Sequence, residues 1–142
     1  MLEGFKIIKL KQYFLEEGNL FHGLKNSDDG YDKFGEIYFS FINKNSIKAW
    51  KFHKKMTLNL IVPVGSIRFN FLDFREESST FKEKFALTLS NKDYSRLTVP
   101  PKIWFGFKGM SKQESIILNL TNIHFQKKEI KRCDKNKIKF NW

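Results

Sequence analysis

The sequence predicts an all-β fold of the jelly-roll or related barrel type. Short segments alternate between apolar and polar residues, which is the pattern of half-buried strands. Turn-forming residues separate these segments, and no segment shows the period of an amphipathic helix. About ten strands fit into the 142 residues, a density typical of antiparallel barrels and jelly rolls.

The first two predicted strands carry most of the polar side chains that a barrel could enclose. GEIYFSFIN (35–43) has an apolar set, Ile37, Phe39 and Phe41, and a polar set, Glu36, Tyr38 and Ser40. After the turn NKNS (43–46), IKAWKFH (47–53) places Lys51 and His53 on one face and Trp50 and Phe52 on the other, because side chains alternate along a strand. A shift of one residue in register would reverse both faces.

The remaining elements follow the same pattern. The further predicted strands are TLNLIVPVG (57–65), SIRFNFLDF (66–74), FKEKFALTLS (81–90), RLTVPPKIWFGF (96–107) and SIILNLTNIHF (115–125). Pro100 and Pro101 lack backbone N–H donors, so they interrupt the ladder of the fourth of these. The charged tail predicts a turn or short helix, followed by a last strand that docks through Ile138, Phe140 and Trp142.

Composition restricts the class of protein. The length, and the 41% share of hydrophobic residues, predict one globular domain spanning 1–142. A single cysteine, an N-terminus without a signal-peptide pattern and the lack of a long apolar run favour a cytoplasmic protein that does not enter the membrane. The net charge of +11 suits an anionic small ligand, whereas the even spread of lysines argues against nucleic acid as the main partner.

Common catalytic and cofactor motifs are absent. The one cysteine and three histidines lack zinc-ligand spacing, and no phosphate-binding glycine loop, dinucleotide fingerprint or nucleophile elbow occurs. Nothing in the sequence requires a metal or an organic cofactor. Only the region 36–53 concentrates polar groups on a face that should lie inside a barrel.

Two patterns carry a resemblance to a known family. The first is D-x-R-x-x-S-x-T-F, which begins at Asp73 and includes Arg75; the second is V-P-x-x-x-x-x-G-F, which begins at Val99. With these, residues 15–142 resemble the dTDP-4-dehydrorhamnose 3,5-epimerase family in the order of their segments. The resemblance implies a cupin-type double-stranded β-helix (jelly roll), a nucleotide-linked 4-keto sugar of the dTDP type as substrate, and a homodimer that exchanges strands.

The family's catalytic residues are not retained. Where the family has R-G-L-H-[FY]-Q, this chain has Lys48 to His53, so the base histidine falls on Lys51 and the glutamine on His53. The tyrosine acid aligns with Leu118, or with Asn119 after a slip of one residue. The family's aspartate partner of the base lies in a C-terminal segment beyond the match, so no such partner is expected here.

Replacement residues for enolisation are available in the same region. Lys51 is either a charged group that stabilises an enolate or, if desolvated, a base; His53 is a second proton carrier and Tyr38 a candidate acid. The predicted substrate-binding residues are Glu36, Ser40, Lys48, Arg75 and Asn119. Arg75 would bind a nucleotide phosphate, and Arg68 is a weaker candidate that also suits the surface.

Other interpretations compete with this one. Glu36, Lys51, Tyr38 and His53 could form a satisfied buried polar network with no catalytic role. The main prediction is an epimerase or isomerase of surface-polysaccharide biosynthesis. The alternatives are a catalytically silent cupin that binds a sugar nucleotide or supports a partner enzyme, and a basic barrel that binds nucleic acid.

Overall fold

The computed structural model describes all residues from 1 to 142 and contains twelve β-strands. They are β1 (Lys6–Lys9), β2 (Gln12–Tyr13), β3 (Leu20–Phe21), β4 (Glu36–Ile42), β5 (Ile47–His53), β6 (Leu58–Val64), β7 (Ser66–Asp73), β8 (Lys84–Ser90), β9 (Ser95–Val99), β10 (Ile103–Gly109), β11 (Ser115–Thr121) and β12 (Ile130–Arg132). The only helix is one 3-10 turn at Lys127–Glu129, which is far too short to span a membrane.

Two five-stranded antiparallel sheets form a jelly roll. One sheet has the order β1-β9-β6-β11-β4, and the other has the order β12-β5-β10-β7-β8; β2 and β3 form a separate hairpin. Leucine, isoleucine and phenylalanine side chains from both sheets fill the core between them. The predicted all-β jelly roll is therefore confirmed.

The predicted strand positions hold in the middle of the chain and fail near its ends. The segment 96–107 is two strands, β9 and β10, separated at Pro100 and Pro101. The short N-terminal strands β1 to β3 were not predicted. The expected last strand at 138–142 is wrong: Phe140 and Trp142 dock on Trp50 without joining a sheet, and the C-terminal strand is β12 instead.

A β-bulge sets the direction of the side chains in β5. Lys51 pairs with Phe105 and Lys48 pairs with Phe107, so two residues of β5 stand opposite Gly106 alone. A side chain at Gly106 would lie 2.6 Å from the Cβ atom of Ala49, which explains the glycine there. Because of the bulge, Lys48 and Lys51 lie on the same side of the sheet although they are three residues apart.

The segment between β3 and β4 covers part of one sheet. Arg96 of β9 is fully buried on the outer face and donates hydrogen bonds to the carboxylate of Asp28 (3.2 Å) and to the backbone carbonyl of Asp29. Asn59 of β6 donates to the carbonyl of Gly30 (3.1 Å). These contacts fasten the segment over β6 and β9 and leave the outer face of β4 uncovered.

The turn after β7 is held by a buried carboxylate. Asp73 accepts hydrogen bonds from Arg75 Nε (2.9 Å), Arg75 Nη2 (2.6 Å), Ser78 Oγ (2.8 Å) and Thr80 Oγ1 (2.6 Å). Burial by itself raises the pKa of Asp73, but the hydrogen bonds from Arg75, Thr80 and Ser78 outweigh it and hold the pKa at about 2. The pair Asp73–Arg75 thus stabilises the turn.

We predict that Asp73→Asn lowers the free energy of unfolding by about 3 kcal/mol at neutral pH, because it leaves the Arg75 guanidinium without its buried partner. The folded pKa of Asp73 lies below its unfolded value of about 3.9, so this stabilisation is present above pH 4 and is lost as the pH falls towards 2. Urea denaturation at pH 7 and pH 2.5 tests this.

The matched control is Glu77→Gln, which removes an exposed ion pair with Lys102. We expect its unfolding midpoint to stay close to that of the wild type. Equal losses in the two variants, or a loss for Asp73→Asn that does not shrink at low pH, would contradict the assignment.

Candidate active site

A cavity of about 290 Å³ opens between the two sheets, beside β4 at the end of one sheet and β5 and β12 at the end of the other. Its lining residues are Glu36, Tyr38, Lys51, His53, Met56, Phe125, Ile130 and Arg132. Four of these were predicted as site residues from the sequence: Glu36, Tyr38, Lys51 and His53. Because Tyr38 belongs to one sheet and His53 to the other, their side chains lie on facing walls.

His53 is paired with a carboxylate that the sequence did not predict. Its Nδ1 lies 2.8 Å from Glu129 Oε2, and both side chains are about 95% buried. Glu129 Oε1 also accepts hydrogen bonds from the backbone N–H groups of Lys55 and Met56, each at 2.9 Å. Glu129 is not the C-terminal aspartate that the family pairs with its base; it is a different carboxylate, and it pairs with His53 and not with Lys51.

The environment of Glu129 fixes the tautomer of His53. Burial raises the pKa of Glu129, but the hydrogen bonds from the Lys55 N–H, from His53 and from the Met56 N–H outweigh it, so the pKa is lowered overall. An ionised Glu129 only accepts hydrogen bonds, so Nδ1 of His53 carries the proton. Nε2 of the neutral ring is then a free acceptor, and it is buried with no hydrogen-bond partner.

Burial lowers the pKa of His53, and the attraction of Glu129 opposes this shift only in part. The positive charges of Lys51 and Arg132 add to the lowering. The ring also stacks on Phe105 with 5.8 Å between the centroids. At neutral pH the imidazole is therefore uncharged, oriented and ready to accept a proton at Nε2.

Burial shifts the pKa of Lys51 and the pKa of Tyr38 towards the uncharged form of each group. Burial lowers the pKa of Lys51, and the charges of Arg132 and Lys48 lower it further. Burial raises the pKa of Tyr38, with a contribution from Glu36. The phenol therefore keeps its proton at neutral pH and is able to donate it to a substrate.

The other predicted residues lie outside the cavity lining. Lys48 is exposed and its Nζ donates to the carbonyl of Phe41 (2.7 Å). Asn119 pairs with Tyr38 across β11 and β4, and its Nδ2 donates to Ser40 Oγ (3.3 Å). These two residues support the wall that carries Tyr38.

Arg75 is also separate from the cavity. Its guanidinium is engaged by Asp73 and by the backbone carbonyl of Glu3 (2.7 Å), so the structure gives it a role in folding instead of phosphate binding. Arg68, the weaker candidate, lies on β7 in a different depression, next to Lys84 and Lys139.

Sequence reasoning missed Glu129, Arg132 and Phe125. Glu129 and Arg132 lie in the charged tail, which the sequence predicts as a turn or short helix before a last strand, and Phe125 ends the segment predicted as the strand 115–125. The only local signal is the single acidic residue among the lysines of KKEIKR (127–132). The pairing of β12 with β5, which brings Glu129 to His53 and Arg132 to the cavity, was not predictable from that segment.

Comparisons with known proteins give one consistent family. The family model for dTDP-4-dehydrorhamnose 3,5-epimerase matches residues 15–142. A crystal structure of a dTDP sugar isomerase from Desulfovibrio desulfuricans G20 superposes with a TM-score of 0.94 at 35% identity, and covers 100% of this chain and 94% of that chain.

Two curated relatives are more distant. The spore coat polysaccharide biosynthesis protein SpsL of Bacillus subtilis is 23% identical over 146 residues, which covers 100% of this chain and 97% of the relative. A probable low-salt glycan biosynthesis epimerase of Haloferax volcanii is 25% identical over 112 residues, which covers 77% of this chain and 72% of the relative.

We predict that the His53 ring titrates with a midpoint below 6.5, because its burial disfavours the imidazolium more than Glu129 favours it. Between pH 7 and the midpoint, Nδ1 should be the protonated nitrogen. ¹⁵N-detected NMR of the ring, assigned with a His53→Gln variant, measures both properties. A midpoint above 6.5, or a proton on Nε2 in the neutral ring, would contradict the arrangement.

Proposed function

Because the chain belongs to the dTDP-4-dehydrorhamnose 3,5-epimerase family, we propose that its cavity epimerises a nucleotide-linked 4-keto sugar by enolisation. The observation that carries this proposal is a pair of groups on facing walls, namely the free Nε2 of His53 and the hydroxyl of Tyr38. Inversion at a carbon needs a proton removed from one face and returned to the other. Supply of a surface polysaccharide or glycan, as in the curated relatives, is the proposed role.

His53 is the proposed base. Its neutral Nε2 removes the proton from the carbon next to the ketone, and the electrons of the C–H bond move to the carbonyl oxygen. The imidazolium that forms is stabilised by Glu129, whose carboxylate holds Nδ1–H at 2.8 Å. Glu129 is a positioning residue, since it acts through His53.

Lys51 is proposed to hold the enolate oxygen. A protonated Lys51 has no ion-pair partner in the structure, so its charge is available for negative charge that develops during the reaction. The sequence left two roles open for Lys51, stabilisation of the enolate and proton removal. In this proposal Lys51 has the first role and His53 has the second.

Tyr38 completes the reaction from the opposite wall. Its hydroxyl donates a proton to the other face of the enolate carbon, a new C–H bond forms, and the electrons of the enolate restore the ketone. The resulting Tyr38 phenolate and His53 imidazolium return to their starting forms by exchanging protons with water. The overall reaction changes one stereocentre and consumes no co-reactant.

A homodimer is the proposed assembly, with each copy contributing one domain of residues 1–142. The outward side chains of β4, Ile37, Phe39 and Phe41, are about half exposed. In register beside them on β11 are Leu120, Leu118 and Ile116. Because β4 also ends its sheet, a second copy would cover an apolar face and satisfy a free strand edge in one symmetric contact.

We predict that the wild type incorporates deuterium from heavy water into at least one of a panel of dTDP-, GDP- and CDP-linked 4-keto sugars. His53→Gln should lower this rate by about 10²–10⁴-fold, since it removes the base. Tyr38→Phe should retain exchange at the carbon but block inversion, because only the second proton transfer is lost. NMR of the sugar follows both events.

The control for this experiment is Lys131→Gln, which removes a positive charge from the opposite face of the same region. It should exchange at nearly the wild-type rate. A folded wild type that binds a sugar nucleotide but exchanges no proton with any sugar would contradict the epimerase and leave a binding protein.

We also predict that the protein elutes at twice its chain mass, and that Phe39→Asp converts it to a monomer because a charge is placed within the apolar face. Light scattering after size exclusion measures both masses. Met110→Asp, at an exposed methionine after the other sheet's β10, is the control and should stay dimeric. A monomeric wild type, or a dimer that survives Phe39→Asp, would contradict this assembly.

A further inference from the structure

Two cations face each other across the strands that border the cavity. Arg132 of β12 pairs directly with Lys51 of β5, so the two side chains leave the sheet on the same face, with Cβ atoms about 5 Å apart. Both line the cavity. Lys131 lies between Ile130 and Arg132, which both line the cavity, and therefore points to the opposite face of the sheet. Its Nζ lies over the ring of Phe52, 5.4 Å from the centroid.

Neither cation has a partner within the chain. No ion pair or side-chain hydrogen bond is formed by Lys51 or Arg132, whereas Arg75 and Arg96 each pair with an aspartate. Glu129 is engaged by His53 and two backbone N–H groups. Glu36 shares the lining but lies beyond ion-pair distance of both cations. Like charges placed opposite each other destabilise a strand pair, and an anion bound beside both would offset this repulsion.

We propose that Arg132 binds the diphosphate of the nucleotide-linked sugar at the mouth of the cavity. This inference rests on the proposed function and adds the position of the substrate's charged part. Arg132 is exposed, unlike Lys51 beside it, so it marks the outer end of the cationic pair. Its guanidinium offers two parallel N–H donors, the geometry that matches phosphate oxygens.

The size of the cavity supports the same orientation. A volume of about 290 Å³ lies at the lower end of the range for small-molecule sites, so it accommodates the sugar and leaves the nucleoside outside. The diphosphate then crosses the mouth, next to Arg132. The ketone lies deeper, where Lys51, His53 and Tyr38 meet.

The test is a binding titration that does not require turnover. Isothermal calorimetry is performed with dTDP, GDP and CDP, and the nucleotide that the wild type binds most tightly is used for the variants. Arg132→Gln should weaken binding by about 10–100-fold, as expected for the loss of charge-assisted hydrogen bonds. Lys131→Gln, which removes the same charge from the neighbouring residue, should change binding by less than about threefold because Lys131 lies over the Phe52 ring, on the face of the sheet away from the cavity.

Two further measurements separate a phosphate contact from a general effect. The matching nucleoside without phosphates should bind wild type and Arg132→Gln equally. Arg132→Lys, which keeps the charge but loses the two parallel donors, should give an intermediate affinity for the nucleotide. Thermal melting of each variant verifies that the fold is retained.

Three outcomes would overturn the proposal: equal losses in Arg132→Gln and Lys131→Gln, an equal loss for the nucleoside without phosphates, or no nucleotide binding by the wild type. Failure of the epimerase is recognised separately. In that case the wild type binds the nucleotide through Arg132 but incorporates no deuterium into any of the sugars.

Discussion

The carboxylate of Glu129 is the contact on which the arrangement of the cavity depends. Its two oxygens hold the ring of His53 and the backbone N–H groups that follow β5, so one side chain joins the 3-10 turn to the end of the neighbouring strand. Because Glu129 directly precedes β12, the same contact sets where β12 pairs with β5. The tautomer of His53 and the position of Arg132 both follow from it.

Charge is distributed unevenly around this contact. The carboxylate of Glu129 is fully engaged by His53 and two backbone N–H groups. Lys51 and Arg132 line the cavity without an ion-pair partner. Burial of the Lys51 charge costs free energy unless an anion compensates it, and the neighbouring charge of Arg132 adds repulsion. An enolate deep in the cavity would compensate Lys51, and a diphosphate at its mouth would compensate Arg132. Binding of the nucleotide and stabilisation of the charge that develops in the reaction would therefore use neighbouring cations.

The strand β4 serves two surfaces at once. Its polar set supplies Glu36 and Tyr38 to the cavity, and its apolar set faces outward, the reverse of what a sheet packed on a single core requires. The segment held by Arg96 covers β6 and β9 but not β4. A wall of the proposed active site is therefore also the proposed dimer contact, so assembly and catalysis would share one strand.

The sequence by itself determined the class of fold, the middle strands and four residues of the cavity. The alternation of side chains along a strand is a local property. It was therefore enough to assign the faces of Tyr38, Lys51 and His53 within their own strands. Only the tertiary structure decided the pairing of His53 with Glu129, the exposure of Arg132 beside Lys51 and the structural role of Arg75. Each of these depends on contacts between distant segments: 76 residues separate His53 from Glu129, and a charged turn such as 127–132 carries no periodic signal that specifies which strand it will join.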